Sequence, residues 1–149
     1  MDYFDQINNH KYIYLSAINE PEDNSLSFIV EEALAVGAAE EIEVSGVNLP
    51  PSRSIEVTSK SKKYKVYFDS YIAYSVLDES YALPDDLEKF SGRLFCIYQK
   101  SNFLDYTSKA SFACDDHPGP SKHYGFNCLN HVINIVSTIE PKIEIIYGT

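Results

Sequence analysis

Cationic side chains are almost missing from the first third of this sequence. Through Pro51 there is one lysine, Lys11, and no arginine, against ten carboxylates, and the remaining residues hold eleven bases and twelve acids. Most of the net charge of −10 therefore sits in one part of the chain. A field of that sign repels nucleic acid and anionic membrane surfaces and favours a cationic partner.

Other absences narrow the class further. No apolar run approaches the roughly 18–20 residues that span a bilayer. The start, Met1-Asp2-Tyr3-Phe4-Asp5, has neither the cationic nor the apolar part of a secretory signal. Cysteine occurs three times (Cys96, Cys114, Cys128), an odd count that does not make a disulfide framework and fits reduced thiols in a cytoplasmic protein. There is no phosphate-binding loop, no G-x-S-x-G elbow, no H-E-x-x-H pair and no calcium loop with a distal glutamate. The expectation is a protein that is not an enzyme, carries no cofactor or metal, and binds neither nucleic acid nor membrane directly.

What the chain does contain is apolar and aromatic: 44% hydrophobic residues, with twelve tyrosines and eight phenylalanines but no tryptophan. That composition buries a core without staples and is unlike a disordered acidic tail. It predicts one domain over residues 1–149, with the acidic third, 1–51, packed on or beside a β-rich body, 52–149.

Residues 3–18 are aromatic and weakly patterned, and Asn19-Glu20-Pro21-Glu22-Asp23-Asn24-Ser25 reads as an acidic turn. Leu26–Val36 reads as a strand, with helical propensity around Glu31-Glu32-Ala33-Leu34 as the competing signal. Asn48-Leu49-Pro50-Pro51-Ser52 reads as a break. Ile55–Thr58, the cationic turn Ser59–Lys63 and the β-branched and aromatic run Tyr64–Val76 together read as a hairpin. Leu87–Phe90 reads as one helical turn, and Gly92 as the opening of a strand over Arg93–Tyr98. Ser101 caps a short helix with Phe103, Leu104 and Thr107 at helical spacing. Asp115–Pro120 is a loop by composition. His123–Ile146 is read as strand, bent or interrupted near Asn130, with a helix over Leu129–Val136 as the alternative, and Pro141 sets off a final strand. The class is α+β: a predominantly antiparallel sheet with one or two short helices.

Two constellations bear on chemistry. Cys114 and His117, then Cys128 and His131, repeat a C-x2-H spacing of the residue types that hold zinc. The plainer reading is two ordinary thiols and two surface imidazoles, because on a regular strand Cys128 and His131 point to opposite faces. A nucleophilic site built from His123, Cys128 and Asp105 has the right residue types but nothing in sequence that joins them.

The second constellation is acidic and aromatic. Glu20, Glu22, Asp23, Glu40, Glu41 and Glu43 supply negative charge, and Tyr71 and Tyr74 supply large rigid side chains with polar tips. Charge speeds encounter with a basic partner and aromatic area anchors it. Any one carboxylate is equally well a dispersed, solvated charge.

The segments Tyr64-Lys-Val-Tyr-Phe-Asp-Ser-Tyr-Ile-Ala-Tyr-Ser-Val, Gly92-Arg-Leu-Phe-Cys-Ile-Tyr-Gln-Lys-Ser-Asn-Phe-Leu-Asp-Tyr and His123-Tyr-Gly-Phe-Asn-Cys-Leu-Asn-His-Val-Ile resemble small bacterial immunity proteins of polymorphic or contact-dependent toxin systems. The resemblance runs from about Tyr64 to Ile145 and leaves the acidic third unmatched. It implies a cytoplasmic, non-enzymatic inhibitor that neutralises one cognate toxin, commonly a nuclease, whose surface is basic because its substrate is a polyanion. Two other functions stay open: a small Cys/His-dependent enzyme or ligand-binding domain, and a structural subunit of a larger assembly.

Overall fold

The strand β2, Leu26–Val44, organises the first half of the molecule. The structure, a computed structural model, describes residues 2–44 and 47–147, and side chains outside 36–54. On one edge β2 takes β1, Tyr12–Asn19, in antiparallel register from Tyr12↔Ala33 to Asn19↔Ser27. Its N-terminal part also pairs with β4, Lys63–Phe68, and its C-terminal part with β3, Val47–Glu56. β10, Lys142–Ile146, completes this sheet against β4, giving the order β1-β2-β4-β10 with β3 attached to β2. β4 alternates half-buried and buried residues, and its inward set is Tyr64, Val66 and Phe68.

The second sheet has the order β5-β9-β8-β7-β6. Its strands are β5 (Ala73–Asp78), β6 (Lys89–Gly92), β7 (Phe95–Lys100), β8 (Lys122–Asn127) and β9 (His131–Ser137). All of its pairings are antiparallel. The architecture is α+β with mainly antiparallel sheet, as composition and patterning predict.

The core forms where the two sheets meet. Phe28 of the first sheet meets Phe126 of the second edge to face at 5.2 Å, Phe68 meets Tyr124 at 5.5 Å, and Phe126 stacks on Phe95 at 4.3 Å. Such ring pairs add about 0.5–1.5 kcal/mol each beyond their area. Helix α1, Tyr3–Asn9, is capped by the Asp2 carboxylate and closes one end of the core with Ile7. Asn8 ties it down. Its Oδ1 accepts the N–H groups of Arg93, Leu94 and Phe95, and its Nδ2 donates to the carbonyls of Phe4 and Phe95. Gly92 makes that turn possible: its φ is +95°, and a Cβ there would stand 1.9 Å from the Phe95 carbonyl oxygen.

The turn between β8 and β9 stitches the second sheet to the outer side of β1. Leu129 N–H donates to Ile13 O, while the Asn130 amide accepts from Leu15 N–H and donates to Leu15 O. Helix α2, Asn102–Ala110, begins at Ser101, whose Oγ accepts Leu104 N–H as the cap motif predicts. Phe103 of α2 contacts His123 on the second sheet.

Four local expectations are corrected. The Ser59–Lys63 turn does not make a hairpin, because β3 and β4 both pair with β2, at Leu34↔Glu56 and Glu31↔Lys63. The link between them follows β2, with Glu32 N–H donating to Lys62 O. Tyr64–Val76 is not one strand: residues 69–72 carry the chain from the first sheet to the second. Asn48–Ser52 is strand rather than break, since the Pro50-Pro51 pair falls at a register shift between Leu49↔Ile42 and Ser52↔Glu40, where missing donors are tolerated. At Leu87–Phe90 one turn forms, Glu88 N–H to Asp85 O, and β6 then begins at Lys89, with Gly92 closing it rather than opening β7. The interruption expected near Asn130 is the β8–β9 turn. β1 and β2, from the acidic third, share a sheet with β4 and β10.

Candidate functional site

The turn from Asn19 to Ser25 is built by its own side chains. Ser25, 1% exposed, accepts Glu22 N–H with Oγ at 2.9 Å and returns a 2.8 Å bond to Glu22 O. Asn24 takes a left-handed φ of +66°, which asparagine tolerates, and its N–H donates to Glu20 Oε1 at 3.1 Å. Just before the turn, β1 bulges between Ser16 and Asn19, with Ala17 at φ +54°. Bulges re-aim the residues that follow.

Those residues meet the chain that links the two sheets. The Tyr71 hydroxyl donates to Glu20 Oε1 at 2.9 Å, and the Tyr74 hydroxyl to Glu20 Oε2 at 3.5 Å. The two rings stand perpendicular, 4.9 Å apart. Burial and then the bond to Glu20 push the Tyr71 phenol up to about 12, and burial and Glu20 raise Tyr74 as well, so both stay neutral donors. Glu20 accepts three hydrogen bonds and thereby fixes two aromatic rings, whereas Glu22 and Asp23 are exposed beside it and make no side-chain hydrogen bond or ion pair among the described residues. Five of the residues singled out from composition thus occupy one corner of the fold. The side chains of Glu40, Glu41 and Glu43 lie outside those described.

The thiol and imidazole candidates do not assemble. Cys128 belongs to the core, and burial drives its thiol far above the ordinary range. Cys96 is also buried and is pushed up to about 11. Neither has the electropositive, accessible setting of a reactive cysteine. Cys114 and His117 bond to each other's backbone in a loop, and Cys128 N–H donates to His131 O across the β8–β9 turn. Among the described residues, no three His, Cys, Asp or Glu side chains gather as metal ligands.

His123 sits in a different network from the one residue types suggested. Its partners are Ser101 and Asn134, not Cys128 or Asp105. Nε2 lies 2.7 Å from Asn134 Oδ1, which only accepts, so Nε2 carries the proton and Nδ1 accepts the Ser101 hydroxyl at 2.7 Å. Tyr98 stacks on the imidazole at 4.0 Å and Phe103 meets its edge. Burial lowers its pKa to about 4, against the opposing bond to Asn134, and the ring is neutral at physiological pH. Gly125 leaves room for this packing, since a Cβ there would lie 3.0 Å from the Tyr98 ring. His123 lies on the floor of a groove that the sequence did not disclose. The groove encloses about 890 Å³ on the second sheet.

Compared with known proteins, the chain matches no family model, no curated protein and no solved structure. No helix among the described residues is long and apolar enough to cross a membrane.

Proposed function

We propose that this protein is an immunity-type inhibitor that binds and neutralises a cognate basic toxin domain, such as a nuclease, in the cytoplasm. The observation that carries the reading is the Glu20–Tyr71–Tyr74 corner with Glu22 and Asp23 beside it. Glu20 orders the two rings in advance, which removes part of the entropy cost of immobilising them in a complex. Glu22 and Asp23 provide the field that steers a cationic surface toward those rings. The role asked of the site is recognition and occlusion, and no bond-making step is required of it. The three segments that resemble immunity proteins include both tyrosines, which points the same way.

The test is association kinetics with the toxin domain encoded beside this chain. Glu22→Lys with Asp23→Lys is expected to slow association about tenfold at about 0.01 M ionic strength, with most of the difference gone at about 1 M. Both side chains are exposed, so folding is unaffected. Failure of any neighbouring toxin to bind the wild-type protein refutes the function. An unchanged on-rate in the double variant refutes the site.

A further inference from the structure

The groove over His123 runs across the whole second sheet. Every strand contributes to it: Leu77 from β5, Val132 from β9, Asn127 from β8, Tyr98 from β7 and Phe90 from β6. Five strands at about 4.8 Å spacing make it about 19 Å from edge to edge. Its borders are Phe103 of α2, Tyr12 and Ile13 of β1 and the segment from Glu79 to Glu88. That segment is pinned to the start of α2, because Glu88 accepts Asn102 N–H at 3.0 Å and Asp85 accepts the Asn102 amide at 2.9 Å.

Among polar neighbours, apolar side chains of the lining are open to solvent: Leu77 is 40% exposed, Leu83 88%, Phe90 49% and Leu129 40%. Exposed apolar surface of this kind, rimmed by polar residues, marks an interaction site. The rim is mainly acidic, with Lys100 close enough to Asp85 to act on its carboxyl and Lys11 over the Tyr12 ring. Residues 78–88 hold Asp78, Glu79, Asp85, Asp86 and Glu88 and no lysine or arginine. Backbone N–H groups of Ser80 and Leu87 hold the Asp78 and Asp85 carboxyls below the usual range, so both stay ionised. No ion pair among the described residues neutralises any of the five.

We infer that this groove is a docking site for a cationic, amphipathic polypeptide segment, whose apolar side chains cover Leu77, Leu83 and Phe90 while its lysines or arginines meet the rim carboxylates. The dimensions fit a segment of about twelve to thirteen residues if helical, at 1.5 Å per residue. The inference does not depend on the toxin reading, which concerns the Glu20–Tyr71–Tyr74 corner.

Three fluorescent peptides of equal length serve as probes: an amphipathic Leu/Lys peptide, a Ser/Lys peptide of the same charge, and a Leu/Glu peptide. The Leu/Lys peptide is expected to bind at least about tenfold more tightly than the Ser/Lys peptide, with amide shifts centred on Phe103, Asn127 and Val132. Leu83→Ser with Phe90→Ser removes that advantage, and both positions are exposed enough to leave the fold intact, as circular dichroism checks. Glu79→Lys with Asp86→Lys weakens both cationic peptides. Glu22→Lys with Asp23→Lys leaves the Leu/Lys preference in place. Equal binding of Leu/Lys and Ser/Lys, equal binding of Leu/Glu, or amide shifts centred on Tyr71 and Tyr74 each overturn the inference. A dimer that buries the groove in a second copy of the chain overturns it too.

Discussion

The acids of the first sheet and those bordering the second are the same residue types in opposite situations. On the first sheet Glu31 meets Lys63 at 3.4 Å, and just past the end of β4 Asp69 meets Lys142 at 3.1 Å. Beside the second sheet, Asp78, Asp85 and Glu88 accept only neutral donors, from Ser80, Leu87 and Asn102. A carboxylate answered by a cation belongs to the protein's own architecture. One answered by amides keeps its charge for whatever approaches. Net charge alone does not separate these cases, and the distribution of partners does. The Glu20 corner stands between them, with its carboxylate fully engaged and its neighbours Glu22 and Asp23 free of ion pairs among the described residues.

The widest break in the comparison comes from the core the two sheets share. Phe126→Ala removes the ring that contacts Phe28 and Phe95, and is expected to cost about 3–5 kcal/mol in urea unfolding. If the sheets are one cooperative unit, near- and far-ultraviolet signals shift together. Two separated transitions would show that the sheets unfold independently.

A smaller effect separates the sheets by pH. His123 is neutral when folded, with a pKa depressed to about 4 against an ordinary value of 6.5. The unfolded chain therefore takes up the proton first as pH falls. Stability is fully present above about 6.5 and declines as pH drops toward 4, by at most about 3 kcal/mol from this residue. Unfolding measured from pH 7 to pH 4 is expected to lose that slope in His123→Gln. A slope identical to wild type would place the titration elsewhere.

The smallest effect tests the acids directly. Glu32→Gln weakens the contact with His10 and is expected to cost about 1 kcal/mol or less, since both side chains are partly exposed. Asp86→Asn on the groove rim is expected to change stability by less than about 0.5 kcal/mol. Thermal unfolding of the two variants orders them, and a larger loss at Asp86 would mean that the rim charge is structural.

Much of the fold is written locally. Ser101 with Phe103, Leu104 and Thr107 is enough to place α2, and the turn at Asn130 is visible as a polar interruption in a β-branched run. The hairpin at Lys60 is misread because turn chemistry does not disclose that β2 is long enough to hold β3 and β4 in succession. Tyr64–Val76 has uniform strand propensity, yet its residues 69–72 change sheets, a choice made by the core and not by propensity. The site follows the same division. Composition names Glu20, Tyr71 and Tyr74, but their meeting spans 51 and 54 residues of sequence. The groove left no periodic signal, because Leu83 lies in a segment without regular structure and looks like an isolated loop residue.

The Asn130 amide has one more effect. With Leu129 N–H, it occupies the Ile13 and Leu15 backbone groups on the side of β1 that faces away from β2. A bare strand edge is a template on which another chain can add a strand and start aggregation. Here a side chain and a turn amide stand in for the next strand, and the Ile13–Leu15 stretch of β1 is closed to foreign chains.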